Sequence, residues 1–194
     1  MQIRIIRGSF MLCLIFSVLT GCALSPQVVA IRPALTAADV AAGRGDALSL
    51  EVSDARASTI IGHRGGVYSR TATISTEKDV ATSMRRQLAD ILEEAGYRVA
   101  ADGAAPVLHV ELTRLEYSIE QKDLTKKITT VAGIKAVFRK GNKSYTNTYT
   151  ITRNSSMLLE PSAADNTKLI NETLTAAFRK LLGDKQLFGL LNGE

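Results

Sequence analysis

Few side chains in this sequence are placed to do chemistry, and the clearest is Cys22, directly behind an apolar run and the small residue Gly21. A cysteine sulfur there is a nucleophile open to covalent modification. The other cysteine, Cys13, lies inside the run. Of the two histidines, His63 sits in Gly62-His63-Arg64-Gly65-Gly66, which lacks the Gly-Lys-Ser/Thr ending of a phosphate loop. That glycine-containing turn reads as structural, ordered by an Asp54–Arg56 ion pair, or as a partner contact through Arg64. His109 and Glu111 share a face of an alternating stretch. They read either as half of an acid/base or metal pair or as solvated neighbours on a sheet. A zinc centre wants three or four ligands, nothing supplies the rest, and no metal is expected. No Gly-x-Ser-x-Gly is present. The expectation is a protein that is not an enzyme and carries no cofactor.

Residues of three kinds follow in order at the N-terminus: Arg4 and Arg7, the apolar residues 10–19, then Leu19-Thr20-Gly21-Cys22. That order is a secretory signal. The apolar run has about half the roughly 20 residues that a spanning helix needs. Leu19-Thr20-Gly21-Cys22 resembles the bacterial lipobox, in which diacylglycerol is joined to the thiol and cleavage then frees an amino group for a third chain. On this reading residues 1–21 are removed between Gly21 and Cys22, and Cys22 becomes the lipid-bearing first residue. One acyl chain holds only marginally, at about 0.8 kcal/mol per buried methylene, whereas three anchor permanently. The residue after Cys22 is Ala23 and not Asp. By resemblance to the lipoprotein sorting rule, this favours the outer membrane, with the domain facing the periplasm.

Without residues 1–21, Arg4 and Arg7 are lost and the net charge falls from +5 to +3. Such a charge does not call for nucleic acid as a partner. With Cys13 removed and Cys22 lipidated, no disulfide or thiol chemistry is left to the domain, so its stability rests on the core. The chain has no Trp and 5% aromatic residues, which argues against an aromatic-lined sugar groove.

These features need a scaffold. Residues 22–45, rich in Ala with Pro26, Pro33, Gly43 and Gly45, read as a flexible tether, of which residues 28–31 could dock on the domain. Residues 46–194 read as a single domain. Leu48, Leu50 and Val52 alternate with polar residues, and Tyr68, Ala72 and Ile74 share one side of a second strand. Thr76 with Asp79 reads as a helix start, followed by a stripe from Val80 to Ala95 and by Gly96 as its left-handed end. Asp102-Gly103 reads as a turn. Residues 107–117 read as a strand whose parity breaks near Thr113-Arg114, the mark of a bulge. Alternation from Ile128 to Phe138 resumes after Gly141-Asn142 at Tyr145, Tyr149 and Ile151, a hairpin signal. Ser162 and Asp165 open a last helix that Gly183 ends, and a short segment at residues 187–191 follows. The expected fold is α+β with two layers: an antiparallel sheet of four to six strands, with two amphipathic helices on one face.

Basic residues cluster at Lys122, Lys126 and Lys127, and again at Arg139, Lys140 and Lys143. They suit contact with lipid headgroups, lipopolysaccharide or peptidoglycan carboxylates, or simply keep a hairpin tip soluble. Thr146, Thr148, Thr150 and Thr152 line one face of the last strand, a surface for pairing with another chain if that strand lies at an edge.

The whole pattern is similar to the YajG family of bacterial lipoproteins. The likeness rests on the lipobox, Ser49-Leu-Glu-Val-Ser-Asp-Ala-Arg56 leading to Ile61-Gly62-His63-Arg64, Glu94-Ala-Gly-Tyr-Arg-Val99 closing a helix, and Leu108-His-Val-Glu-Leu112 with Leu115. The resemblance implies lipid anchoring at the outer membrane and no functional residue beyond Cys22. The function expected is therefore an adaptor for another envelope protein. The alternative is a module that binds lipopolysaccharide or peptidoglycan.

Overall fold

The computed structural model describes residues 25–65, 71–100 and 106–193. In chain order the elements are β1 (Gln27–Val29), a 3-10 turn (Ala37–Asp39), β2 (Ala47–Asp54), β3 (Ile60–His63), β4 (Thr73–Thr76), α1 (Val80–Glu94) and β5 (Arg98–Ala100). Then come β6 (Val107–Lys122), β7 (Thr125–Lys140), β8 (Lys143–Met157), α2 (Ala163–Leu182) and α3 (Lys185–Leu191).

The class is α+β, but the sheet differs from the one expected. Its described strands number eight, the pairing is mixed, and three helices accompany it. β2 and β3 both run parallel to β6, β5 runs parallel to β2, and β1 runs parallel to β4. The strands that raise the count, β1, β3, β4 and β5, have only three or four residues each. Alternation needs about 4–8 residues to be visible, so the sequence hints at β4 through Ala72 and Ile74 and at β1 through residues 28–31, but does not show that these short segments join one mixed sheet.

Three long strands carry the domain. β6, β7 and β8 form a meander closed by two-residue turns, at Asp123-Leu124 and at Gly141-Asn142. Asp123 and Gly141 take positive φ there, at 54° and 56°. The two turns lie at opposite ends of β7, about 50 Å apart at 3.3 Å per residue. One edge of β6 pairs with β7 along its whole length. The other edge is shared: residues 107–112 pair with β2, and Tyr117 pairs with Gly62 of β3. The register slips between Leu112 and Arg114, where the sequence breaks parity, so Leu112 and Leu115 both enter the core. Gly62 is required by this crossing, because a Cβ there would lie 2.0 Å from the Tyr117 carbonyl oxygen.

Leu48 and Leu50 of β2, Leu108, Val110 and Leu112 of β6, and Ile134, Ala136 and Phe138 of β7 form one buried face. Met84, Leu88 and Leu92 of α1, Leu174, Phe178 and Leu181 of α2, and Leu187, Phe188 and Leu191 of α3 join the same core. α2 starts as its sequence requires, with Ser162 and Asp165 in a capping box. α1 starts three residues later than Thr76 suggests, with Asp79 at its N-cap. Thr76 is committed elsewhere: it ends β4, its amide donates to the Thr59 carbonyl, and its hydroxyl accepts from Arg56. Arg56 also forks onto Asp54, at 2.7 Å.

The N-terminal segment packs well before Asp46. β1 is a strand of the sheet, and Val29 and Ile31 are core residues. From there the chain runs along α2, held by a ladder of polar side chains. Gln27 Nε2 donates to the Ala163 carbonyl and to Thr167. Asn171 accepts from the Arg32 amide and donates to the Ala30 carbonyl. Thr175 accepts from the Ala34 amide, and Arg179 meets Ala34 and Asp39. Residues 27–40 are thus a strap fastened to α2.

Candidate binding edge and groove

β8 supplies the most accessible hydrogen-bonding surface of the fold. It has 15 residues and pairs only with β7, without a register shift. The Thr148 amide is taken by the side chain of Asn147, at 2.8 Å. Backbone groups alternate between the two edges of a strand, so the amides of Thr146, Thr150 and Thr152 share the outer edge with that of Thr148. Their side chains are exposed on the helix-free face. The other terminal strands of the sheet, β1 and β5, have three residues each. A long, regular, unpaired edge is a template for a further strand.

The odd-numbered residues of β8 point the other way. Ile151 and Arg153 form one wall of a groove of about 680 Å³. Glu172, Thr175, Ala176, Arg179 and Lys180 of α2 form the other, and Ala34 of the strap closes its end. Arg153, Arg179 and Lys180 line it with one carboxylate, Glu172. Arg153 lies 3.4 Å from Glu172 and Arg179 is paired with Asp39 at 3.1 Å, which leaves Lys180 to face an incoming acid. A strand added to β8 would place every second side chain over this groove. Its electrostatics suit acidic side chains.

Further along β8, Tyr145, Asn147 and Tyr149 converge on one oxygen of Asp184, at 2.8, 3.1 and 2.5 Å. The other oxygen of Asp184 caps α3 through the amides of Gln186 and Leu187. Burial alone would raise the Asp184 pKa, but these donors outweigh it and hold the carboxyl at about 2. The Tyr149 hydroxyl is pushed up by burial and by the same carboxylate. This cluster fixes β8 against the helical layer.

A model of an uncharacterized lipoprotein family matches residues 33–192. The chain belongs to that lipoprotein family. No curated protein matches it. Among solved structures it is similar to a protein from Xanthomonas campestris, at 16% identity and a TM-score of 0.47, over 87% of this chain and 95% of that one. It is similar to a minor lipoprotein from Acinetobacter baumannii at 16% identity and a TM-score of 0.45, over 73% and 94%. A lipoprotein from Neisseria meningitidis matches at 15% identity and a TM-score of 0.35, over 71% and 97%.

The residues singled out from the lipoprotein's sequence fall in separate places. Gly21 and Cys22 lie outside the described residues, as do Tyr68 and the Asp102-Gly103 turn. No helix among the described residues is long and apolar enough to cross a membrane. Arg64 follows β3, and its Nη1 donates to the Ser25 carbonyl at 3.4 Å. Arg139, Lys140 and Lys143 are exposed at the β7–β8 turn, remote from Arg64. His63 ends β3. His109 Nε2 lies 2.8 Å from Ser53 Oγ on the helix-free face, while Glu111 turns to Lys135 at 3.5 Å. The Ser53–His109 contact has the geometry of a nucleophile and its base, but no carboxylate among the described residues orients the ring.

The sequence suggested docking for residues 28–31 of the strap, but not for the rest of it nor for the groove that it closes. A signal was present in Thr167, Asn171, Thr175 and Arg179, spaced by four on one side of α2. Polar residues at that spacing read as a solvated helix face, although here they hold main chain.

Proposed function

We propose that this lipoprotein is anchored through Cys22 at the periplasmic side of the outer membrane. There it acts as a non-catalytic adaptor that captures an extended segment of another envelope protein along β8. The likeness to YajG lipoproteins belongs to the same reading and rests on the sequence motifs. The observation that carries the proposal is the free 15-residue edge of β8, bordered by a basic groove. Main-chain hydrogen bonds would supply affinity, and the groove would select acidic side chains at alternate positions.

The test places a photo-crosslinking residue at Thr146 or Thr152 in cells, and as a control at Glu51 on the open face. The expected result is one envelope protein joined at the two β8 positions and absent at Glu51. Thr150→Pro removes an outer-edge amide without touching the β7 ladder, and it should abolish the product. Equal crosslinking at Glu51, or a product that survives Thr150→Pro, overturns the adaptor reading.

One observation favours a second reading. Arg139, Lys140 and Lys143 sit at the end of the sheet away from Ser25, the first described residue, and so point away from a membrane that holds Cys22. Cell-wall carboxylates suit that position better than headgroups of the anchoring bilayer. Replacing the three residues by Gln should reduce co-sedimentation with peptidoglycan several-fold; unchanged sedimentation removes this reading.

A further inference from the structure

We infer that the end of the sheet carrying Leu124, Leu158 and Leu159 is a membrane-docking face that enters the headgroup layer of the bilayer holding the Cys22 acyl chains. This rests on the reading of Cys22 as the lipidated residue. It is argued from the position of Ser25, three residues after Cys22, and from what surrounds Ser25.

Ser25 accepts from Arg64, which directly follows β3. β3 runs parallel to β6, β4 runs antiparallel to β3, and β1 runs parallel to β4. The start of β1 therefore lies at the end of the sheet where β6 finishes and turns. The contacts agree: a Cβ on Gly65 would meet Ile119 of β6 and Glu160 just after β8. Cys22 is three residues before Ser25, so its Cα lies within about 11 Å of it. The β6–β7 turn extends only a few residues beyond Ile119, roughly 3.3 Å each. Anchor and turn thus reach a similar depth.

What stands at that end is unusual for a soluble surface. Five large apolar side chains are exposed among the described residues, and the three most exposed are Leu124 at 85%, Leu159 at 80% and Leu158 at 76%. Leu124 forms the β6–β7 turn with Asp123. Leu158 and Leu159 follow Met157, which pairs with Lys126, two residues from Leu124. Two hairpin strands separate them in sequence, yet the register brings them to one edge. Exposed Lys122 and Lys127 flank the group together with exposed Glu120 and Asp123, and Lys126 is paired with Glu160 at 2.9 Å. Exposed leucines ringed by charged side chains suit a bilayer interface, where the apolar side chains enter and the charged groups stay at headgroup level. Leu124 occupies a turn position where a polar residue would serve a solvated hairpin.

Docking at this end would stand the sheet upright, with the β7–β8 turn about 50 Å from the bilayer at 3.3 Å per residue. β8 would run outward along its length, its edge accessible at every depth.

The chain has no Trp, so single tryptophans report their own position. Full-length lipidated protein carrying Leu124→Trp, Leu159→Trp or, as control, Asn142→Trp is reconstituted in phosphatidylethanolamine/phosphatidylglycerol vesicles with brominated acyl chains. Flotation with the vesicles and the mass of the acylated N-terminal peptide are read on the same samples. The expected result is a blue-shifted emission and loss of most of the signal by bromine quenching for Leu124→Trp and Leu159→Trp, with Asn142→Trp unaffected. Protein that floats and is acylated at Cys22, with the Leu124→Trp and Leu159→Trp emission unquenched, overturns the docking face alone. Protein that lacks acylation and fails to float overturns the anchor and the docking face together.

Discussion

Asp184→Asn should lower the stability of the domain by about 2–4 kcal/mol at neutral pH, the largest loss expected from any single carboxylate in the fold. The carboxylate is the N-cap of α3 and the acceptor for three side chains of β8. The amide keeps the volume and one acceptor oxygen, but it turns an NH2 group toward Tyr145, Asn147 or the helix amides. The loss has a pH signature. Burial works to raise the pKa of Asp184, yet the donors from Tyr149, Leu187, Asn147 and Tyr145 pull it down to about 2, below the roughly 3.9 of an unfolded aspartate. A depressed folded-state pKa stabilises above the unfolded value, and that contribution disappears as pH falls through the folded one. The stability difference between wild type and Asp184→Asn should therefore be constant from pH 7 to about 5 and shrink progressively below that, most of it between about pH 4 and 2. Urea denaturation at several pH values measures it, and the comparison cancels the other acidic groups whose pKa values are also lowered, such as Asp54 and Glu77. A difference that stays flat down to pH 2 would show that the carboxylate charge is not what the tyrosines hold. Because these side chains alternate with the exposed threonines, Asp184→Asn should also weaken any partner that pairs with β8.

The long elements of this fold were legible because they are long. Strict alternation from Ile128 to Phe138, the Gly141-Asn142 turn, the parity break at Thr113-Arg114 and the Ser162/Asp165 cap all correspond to local rules, and each is found. What escaped is what only pairing decides. β6 reads as a strand to Tyr117, but it runs on to Lys122 because β7 pairs with it to the turn. Gly62 reads as a loop glycine, whereas it lies in β3 at a crossing too close for a side chain. The parallel partners of β6 come from segments 50 to 60 residues earlier, a separation that no local pattern encodes. The candidate site was half visible in the same way. The threonines of β8 announced a polar face, but whether β8 is an edge depends on the order of the other strands. Cys22 lies outside the described residues, so its part in the site rests on the sequence pattern alone.

Asn166→Ala is the second change with a large expected effect, and it tests the part of the structure that sequence reasoning treated as a leash. Asn166 is buried, accepts from the Tyr117 hydroxyl at 2.7 Å, and donates to Gln27 Oε1 at 3.1 Å. Truncation leaves a buried hydroxyl and a buried amide oxygen without partners, at a cost of about 1–3 kcal/mol for each such group. The expected loss is about 3 kcal/mol in chemical denaturation of the full chain, with β1 and the strap released earlier than the long strands. Removing the orphaned groups should restore part of it. Tyr117→Phe in the Asn166→Ala background should cost less than in the wild type, because the hydroxyl it deletes already lacks its acceptor. Strictly additive losses would mean that the two side chains are neighbours that do not act together. A coupling between the two changes would mean that Tyr117 and Asn166 act as one unit, the unit to which Gln27 of the N-terminal segment is joined through Asn166.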